Sequence, residues 1–282
     1  MKTKKILKEL GFSPTDRVVI FHADDIGMCE ASVSAYADVL EFGLVSSAAT
    51  MVPCSWFPAT AEVYRQNREK ADLGVHLTLT SEWDNYRWSP LTSSDPKSGL
   101  LDVEGYFPRA ALPVQEKSTN EVVYKELKAQ IDRAISAGIE ITHIDTHMFA
   151  IYPTFTDVYL RLADEYKVPA FALQPDTEMD FPQALTEEQA ENRPLLNAWH
   201  AMSYENAENR FEQAKNYLDN LQAGISYFLL HPSKDTPELR TIAPDWRTRV
   251  ADYQLFTDEN FRTYIKESGI QVIGWRALKN LL

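Results

Sequence analysis

Short β-branched runs alternate with longer amphipathic stretches along the 282-residue chain, and this alternation constrains the fold more than any other feature. The runs predict strands, and the stretches between them predict helices because their apolar residues recur at helical spacing. Such alternation predicts a parallel sheet, either closed as a barrel or doubly wound. The predicted strands are Val18–Ala23, Ser46–Val52, Leu73–Leu79, Ile141–Thr146, Ala170–Leu173, Ile225–Leu230 and Gln271–Gly274, and the predicted helices lie near 29–42, 57–69, 119–137, 154–166, 205–222 and 258–268.

The glycine-rich phosphate loops of nucleotide-binding sheets are missing after every predicted strand. This favours the closed form, so the fold class we predict is α/β, as an irregular (β/α) barrel. We expect one domain over residues 1–282. Two stretches, near 81–118 and 174–204, are long for connections in such a domain and predict lids or binding loops.

Composition excludes several classes of function. The net charge is −13, and the one basic stretch is the short segment Lys2–Lys8, so a nucleic-acid partner is not expected. Because no apolar run approaches the roughly 20 residues of a membrane span, we expect no membrane partner. The two cysteines, Cys29 and Cys54, cannot form a disulfide framework, and the N-terminal segment lacks the apolar core of a signal peptide. These features predict a cytoplasmic protein; a homo-oligomer is compatible with them.

Histidines stand at or near the C-terminal ends of predicted strands. In a parallel barrel all of these ends meet at one mouth, where the active sites of such folds lie. Imidazoles and carboxylates gathered there could hold a divalent metal. The histidines placed in this way are His22, His76, His143, His147 and His231, whereas His200 falls in a predicted loop.

The first of these strands ends in HADDIG. Adjacent side chains of an extended chain point to different sides, so Asp24 and Asp25 could do different work, one binding a metal and the other taking a proton from its water. A helix N-cap with an acidic first turn is the competing interpretation. His76 lies in an alternating strand, and a strand histidine taken alone is more often an ordinary core or surface residue than a ligand.

The segment THIDTH places His143, Asp145 and His147 on one face of an extended chain, because side chains there repeat every two residues. Such a face could supply a metal ligand together with a supporting carboxylate. His231 follows an apolar strand and precedes Pro232. It is a candidate general acid, since the pKa of imidazole suits proton donation near neutral pH, although a capping role after the strand is also possible.

The ordered motifs resemble those of the YdjC-like carbohydrate deacetylase family. HADDIG is similar to the family's N-A-D-D-x-G, GVHLTLT to its G-x-H-x-x-L, and THIDTH to its T-H-x-D-x-H, while YFLLHPS resembles its strand ending in His-Pro. The resemblance implies the irregular barrel and the removal of an N-acetyl group from a small carbohydrate. It also implies one divalent ion, of Zn, Mg, Mn, Co or Ni, bound by Asp25, His76 and His147, with Asp24 as general base, His231 as general acid or transition-state stabiliser, and Arg249 orienting a carboxylate.

The chain departs from the family pattern at three places. His22 stands where the family usually has Asn, Met148 to Ala150 replace further histidines, and Tyr253 lies near a common Glu. We therefore interpret His22, His143, Asp145, Arg249 and Trp88 as residues that support the metal ligands or contact substrate. Trp83, Tyr86 and Trp88 could stack on a sugar or simply pack a lid.

Two other functions fit the same residues. One is a metal-dependent hydrolase of a non-sugar amide or ester, because the metal chemistry is shared and the loops choose the substrate. The other is a non-catalytic carbohydrate-binding relative, which would have to lack a catalytic group.

Overall fold

The computed structural model describes residues 3–175 and 185–282, which are built around a parallel sheet of seven strands. The strands are β1 Arg17–Ile26, β2 Ser47–Thr50, β3 Leu73–Leu77, β4 Ile144–Thr146, β5 Ala198–Ala201, β6 Gly224–Leu230 and β7 Gln271–Val272. They follow the order β4-β3-β2-β1-β6-β5 in the sheet, and the short β7 pairs with Val18 and Val19 of β1.

The sheet curls into an irregular barrel, which confirms the predicted fold class. Between β4 and β5 it continues through two isolated parallel bridges, Ile144 with Ala170 and Leu173 with Leu196. The predicted strand Ala170–Leu173 therefore exists as two single bridges rather than as a continuous strand. Because β5 pairs in turn with β6, the circuit of neighbours returns to β1.

Twelve α-helices lie within the described residues, and all six predicted helices are among them. Three helices after β6 lie outside the predicted ranges: α9 (Pro237–Ile242), α10 (Trp246–Leu255) and α12 (Trp275–Lys279). The buried face of α10 includes the polar residues Thr248, Arg249 and Asp252, so it lacks the apolar periodicity that reveals a helix in sequence. The bounds are α1 Thr3–Glu9, α2 Glu30–Phe42, α3 Phe57–Gln66, α4 Ala111–Lys117, α5 Asn120–Ser136, α6 Thr156–Tyr166, α7 Glu187–Ala190, α8 Arg210–Asp219, α9 Pro237–Ile242, α10 Trp246–Leu255, α11 Glu259–Glu267 and α12 Trp275–Lys279.

Strand β1 shows how the fold positions polar groups. Its outward side chains, such as Val19 and Phe21, pack in the larger hydrophobic cluster with the helices. Its alternate side chains Val18 and Ile20 belong to the smaller cluster that fills the barrel. On the same inward face, two residues further on, the apolar sequence gives way to His22. The barrel is therefore apolar towards one end and polar towards the mouth.

The two long connections differ from simple loops. The stretch 81–118 contains α4 and is held by Arg87, whose buried guanidinium lies 2.6 Å from Asp102 and donates a 2.8 Å hydrogen bond to the Phe107 carbonyl. The stretch 174–204 contains α7 and β5, and its residues 176–184 lie outside the described part of the chain.

The position predicted for His200 was wrong. It lies on β5 rather than in a loop, and its ring stacks on Tyr217 with 3.9 Å between centroids. Burial lowers the pKa of His200 to about 4, so this imidazole is neutral at physiological pH. Among the described helices, none combines the length and apolar character needed to cross a membrane.

Candidate metal centre

A bulge at the end of β1 brings two adjacent carboxylates to one cavity. The pairing of β1 with β2 shifts register between Ala23 and Ile26, and Asp25 adopts a left-handed backbone with φ of 61°. Asp24 and Asp25 both line the cavity at the barrel mouth. The expectation that they point to different sides is wrong, because the chain is no longer extended at this point.

Asp25, His76 and His147 meet at this mouth although they come from three distant parts of the chain. His147 Nδ1 lies 3.1 Å from Asp25 Oδ1 and 3.3 Å from His76 Nε2, and His76 Nε2 lies 3.5 Å from the same carboxylate oxygen. All three residues are buried. These atoms are 3.1 to 3.5 Å apart. If a cation lay about 2.1 Å from each of them, the angles between its bonds would be roughly 95° to 113°, which coordination geometry allows.

Each of the two imidazoles has a carboxylate on its other nitrogen. His76 Nδ1 lies 2.8 Å from Asp145 Oδ1, and His147 Nε2 lies 3.0 Å from Glu82 Oε2. Metal-binding histidines characteristically carry such a partner, which fixes the ring and strengthens it as a ligand. The donor set therefore fits a divalent cation such as Zn, Mn, Co, Ni or Mg.

Glu82 was not predicted. It follows the end of β3 in the stretch 81–118, and the rule that found the histidines, a polar residue just beyond a strand end, would have found it too.

Charges around the three residues favour a positive occupant. Burial alone raises the pKa of Asp25, but the charge of Arg249 and the neighbouring His147 hold it well below its usual value. Burial lowers the pKa of His147, but Glu82 and Asp25 outweigh this and raise it to about 9. The carboxylates that hold a proton on this imidazole also attract a cation, which would displace the proton.

Arg249 lies where the sequence suggested, against a carboxylate. Its Nη1 is 2.8 Å from Asp25 Oδ2, and its Nε donates to Asp245 one helical turn earlier. Because Arg249 engages one oxygen of Asp25, the other oxygen is left facing the two histidines.

Asp24 and His231 both lie beside this centre. Asp24 Oδ2 lies 3.6 Å from His76 Nε2, and His231 Nε2 lies 3.9 Å from Asp25 Oδ2. The backbone N–H of His231 donates to Asp252 Oδ2 at 2.9 Å, which fixes the chain at the exit of β6. Burial lowers the pKa of His231, so its protonated ring would release a proton readily.

His22, His143 and Asp145 lie beneath the centre, inside the barrel. His22 and His143 are wholly buried, with 5.0 Å between their ring centroids, and Asp145 lies between them and His76. Of the three residues of THIDTH predicted to share a face, His143 and Asp145 lie together in the interior, whereas His147 lies at the mouth beside Asp25.

The cavity above the centre has a volume of about 390 Å³ and walls rich in aromatic side chains. Trp88 is one of them, but its Nε1 donates to the Thr80 carbonyl at 2.7 Å and it packs edge-on against Trp83. It therefore serves chiefly to pack the stretch 81–118. The aromatic residues lining the cavity are Trp83, Trp88, Phe149, Trp199 and Tyr204.

The fold and the site together define the class of protein. It is a parallel β/α barrel with a candidate metal centre at the mouth, formed by carboxylates and imidazoles at the strand ends. Within that class the particular family is defined by sequence. The model of the YdjC-like protein family matches residues 18–267, so the chain belongs to the YdjC-like family, and the resemblance seen in its motifs is confirmed.

Individual relatives cover almost the whole chain. A carbohydrate deacetylase of Thermus thermophilus is 34% identical over 291 residues, spanning 98% of this chain and 99% of the relative. Carbohydrate deacetylase 1 of Listeria innocua is 26% identical over 263 residues, spanning 92% and 99%. A crystal structure from Enterococcus faecalis V583, described as a cellobiose-phosphate cleavage protein, superposes with a TM-score of 0.79 at 22% identity, covering 94% of this chain and 99% of that one. This last likeness shows a shared fold.

Proposed function

We propose that the protein is a metal-dependent carbohydrate deacetylase that removes an N-acetyl group from a small amino-sugar substrate. The observation that carries the proposal is the meeting of Asp25, His76 and His147 within 3.1 to 3.5 Å at the floor of an aromatic cavity. The names of the relatives, carbohydrate deacetylases over nearly their full length, support the reaction class.

The proposed mechanism divides the work among the residues of the floor. Asp25, His76 and His147 would hold the cation, whose charge polarises the amide carbonyl and lowers the pKa of a water. Asp24 would take the proton of the attacking water as general base. His231, whose Nε2 lies 3.9 Å from Asp25 Oδ2, would protonate the departing amine. Arg249 would position Asp25, and Asp145 and Glu82 would position the two imidazoles.

The cavity supports a small substrate. About 390 Å³ lies at the low end of the range for small-molecule sites and suits one or two sugar rings. Trp83, Trp199 and Tyr204 line it, and aromatic side chains stack on the apolar faces of sugars. The cytoplasmic location, the single domain and a homo-oligomeric state stay predictions from sequence.

Acetate release tests the proposal. The purified protein, loaded in turn with each candidate metal, is incubated with N-acetylated mono- and disaccharides, O-acetylated sugars and N-acetyl amino acids. We expect acetate from at least one N-acetylated sugar, loss of this activity after chelation, and recovery when the metal is restored. His200→Phe is the matched control, because His200 lies outside the cavity and the substitution keeps an aromatic ring against Tyr217.

The other outcomes are distinct. Acetate only from the amino acids, or cleavage of a non-sugar ester, would replace the substrate class and keep the metal chemistry. Tight sugar binding by the metal-loaded protein without any hydrolysis would instead identify a non-catalytic carbohydrate-binding protein.

A further inference from the structure

We propose that a second cation binds in the barrel interior, between His22, His143 and Asp145, beneath the centre described above. Each of these residues offers one ligand atom, and the three atoms lie within 4.8 Å of one another. The proposal goes beyond the deacetylase function, since it concerns how many ions the folded chain holds and would stand for any substrate.

The hydrogen bonds of His143 leave its Nε2 with a lone pair. Thr142 donates its hydroxyl proton to Asp72, so the same oxygen must accept the 2.9 Å hydrogen bond from Nδ1 of His143. Nε2 of the neutral ring then carries no proton. This lone pair lies 3.8 Å from Asp145 Oδ2, so two electron-rich atoms face each other in a dry interior.

His22 faces the same carboxylate oxygen of Asp145. Its Nδ1 lies 2.8 Å from the hydroxyl of Ser47, while its Nε2 lies 3.0 Å from both Asp145 Oδ2 and Asp24 Oδ1. Among the described residues, Nε2 of His22, Nε2 of His143 and Oδ1 of Asp24 all lack a well-oriented hydrogen-bond partner despite being buried. Unpartnered buried polar atoms are uncommon in native structures, and several in one place indicate a missing ion or water.

The separations of the ligand atoms favour an ion over a water. Asp145 Oδ2 lies 3.0 Å from His22 Nε2 and 3.8 Å from His143 Nε2. If a cation lay about 2.1 Å from each atom, the angles between its bonds would be roughly 91° and 130°, within the range of coordination geometry. For a water at about 2.8 Å from the same atoms, the corresponding angles would be about 65° and 85°, both below its tetrahedral preference. A proton on His22 could satisfy Asp24 or Asp145, but it would leave Nε2 of His143 without a donor.

The surrounding residues hold the two rings in place. Trp275 stacks on His143 with 5.1 Å between centroids and 18° between planes, and Tyr227 stacks on His22 at 4.8 Å. A Cβ at Gly74 would lie 2.5 Å from Nε2 of His143, so only glycine there leaves the ring its position. Ligands that are fixed before an ion arrives lose little conformational freedom on binding it.

The ligand is therefore a borderline divalent metal such as zinc, for which two imidazoles and a carboxylate are a suitable set. Asp145 would connect the two ions, because its Oδ1 holds His76 and its Oδ2 faces the buried site. Asp24 would also lie between them. The buried ion would position the proposed general base rather than contact substrate.

Metal stoichiometry tests the inference without any assay of activity. The full-length protein is loaded with zinc, desalted, and analysed for zinc per chain, and anomalous diffraction from wild-type crystals locates the ions. We expect two ions in the wild type and in His200→Phe, and one in His143→Gln. Gly74→Ala, whose Cβ would clash with both the ring and the backbone carbonyl of His143 and so displace this ligand, should also hold one ion. Circular dichroism and unfolding temperatures show whether each variant is folded.

The experiment distinguishes failure of the buried site from failure of the mouth centre. One ion in the wild type, unchanged in His143→Gln and lost in His147→Gln, would overturn the buried site and keep the mouth centre, with a proton on His22 taking the place of the second cation. One ion that is lost in His143→Gln and kept in His147→Gln would instead support the buried site and remove the centre on which the proposed function depends. Because the wild-type crystal alone decides between one and two ions, a variant that fails to fold does not leave the question open.

Discussion

The floor and the walls of the cavity are built in different ways. The floor, defined by Asp24, Asp25, His76 and His147, lies at the ends of β1, β3 and β4. His76 is paired in register with Asp145 of β4, the two aspartates lie in the bulge of β1, and His147 directly follows β4. The walls, defined by Trp83, Trp88, Phe149, Trp199 and Tyr204, come mostly from connections between strands. Their positions depend on local contacts such as the Trp88 hydrogen bond to Thr80.

This difference separates two kinds of function. A register error at the floor would move a ligand atom by a whole residue, so the chemistry there depends on the barrel itself. A change in a wall alters the space above the floor and leaves the ligand atoms in place. We therefore expect floor substitutions to lower kcat and wall substitutions to raise KM.

The largest effect expected is that of Asp24→Asn at the floor. The amide keeps the shape of the side chain but cannot take a proton from water, so kcat should fall by about 10³-fold. The content of bound metal at the mouth should not change, because Asp24 is not among its three proposed ligands. Steady-state kinetics together with metal analysis of the same preparation measure both quantities.

A near-normal rate in Asp24→Asn would remove the proposed base and weaken the distinction between floor and walls. Loss of metal from the mouth, seen as missing anomalous density beside His147, would move Asp24 from the base to the ligand set.

Most of the floor could be predicted from sequence because it follows from two general rules of parallel sheets. Polar residues at the C-terminal ends of parallel strands converge, and side chains in strands repeat every two residues. Together these two rules predict that His76, Asp145 and His147 lie close to one another. In the structure His76 contacts both of the others: its Nδ1 lies 2.8 Å from Asp145 Oδ1, and its Nε2 lies 3.3 Å from His147 Nδ1.

Other features depend on tertiary context that no local pattern records. The left-handed backbone of Asp25 arises from a bulge in the pairing of β1 with β2. The strand β5 has four half-buried residues and no apolar alternation, so it was missed and His200 was misplaced. Helix α10 carries Arg249 on a polar buried face, which periodicity cannot detect.

Glu82 sharpens the comparison because it belongs to a wall segment but supports the floor. Its Oε2 lies 3.0 Å from His147 Nε2, so Glu82→Gln should behave as a floor substitution. Loss of such a supporting carboxylate weakens metal affinity by about 10- to 100-fold. We expect this loss in a competitive titration with a chelator, and activity should recover at saturating metal.

If Glu82→Gln instead raised KM at unchanged metal affinity, Glu82 would contact substrate and belong to the walls. Asp84→Asn is the matched control, because Asp84 lies in the same segment with a largely exposed side chain paired to Arg109. It should bind metal as the wild type does.

The smallest effect expected is that of Tyr204→Ala in the wall. Tyr204 is 50% exposed, so its truncation should cost little stability, and its ring lies 5.4 Å from that of His231 above the floor. Loss of one aromatic stacking contact, about 1 kcal/mol, should raise KM about fivefold with kcat nearly unchanged. Tyr204→Phe keeps the ring and should retain the wild-type KM, while Leu112→Ala, an exposed apolar truncation away from the cavity, should change neither constant. If both Tyr204→Ala and Tyr204→Phe lowered kcat at constant KM, the Tyr204 hydroxyl would take part in the reaction. Tyr204 would then behave as a floor residue rather than as a wall residue.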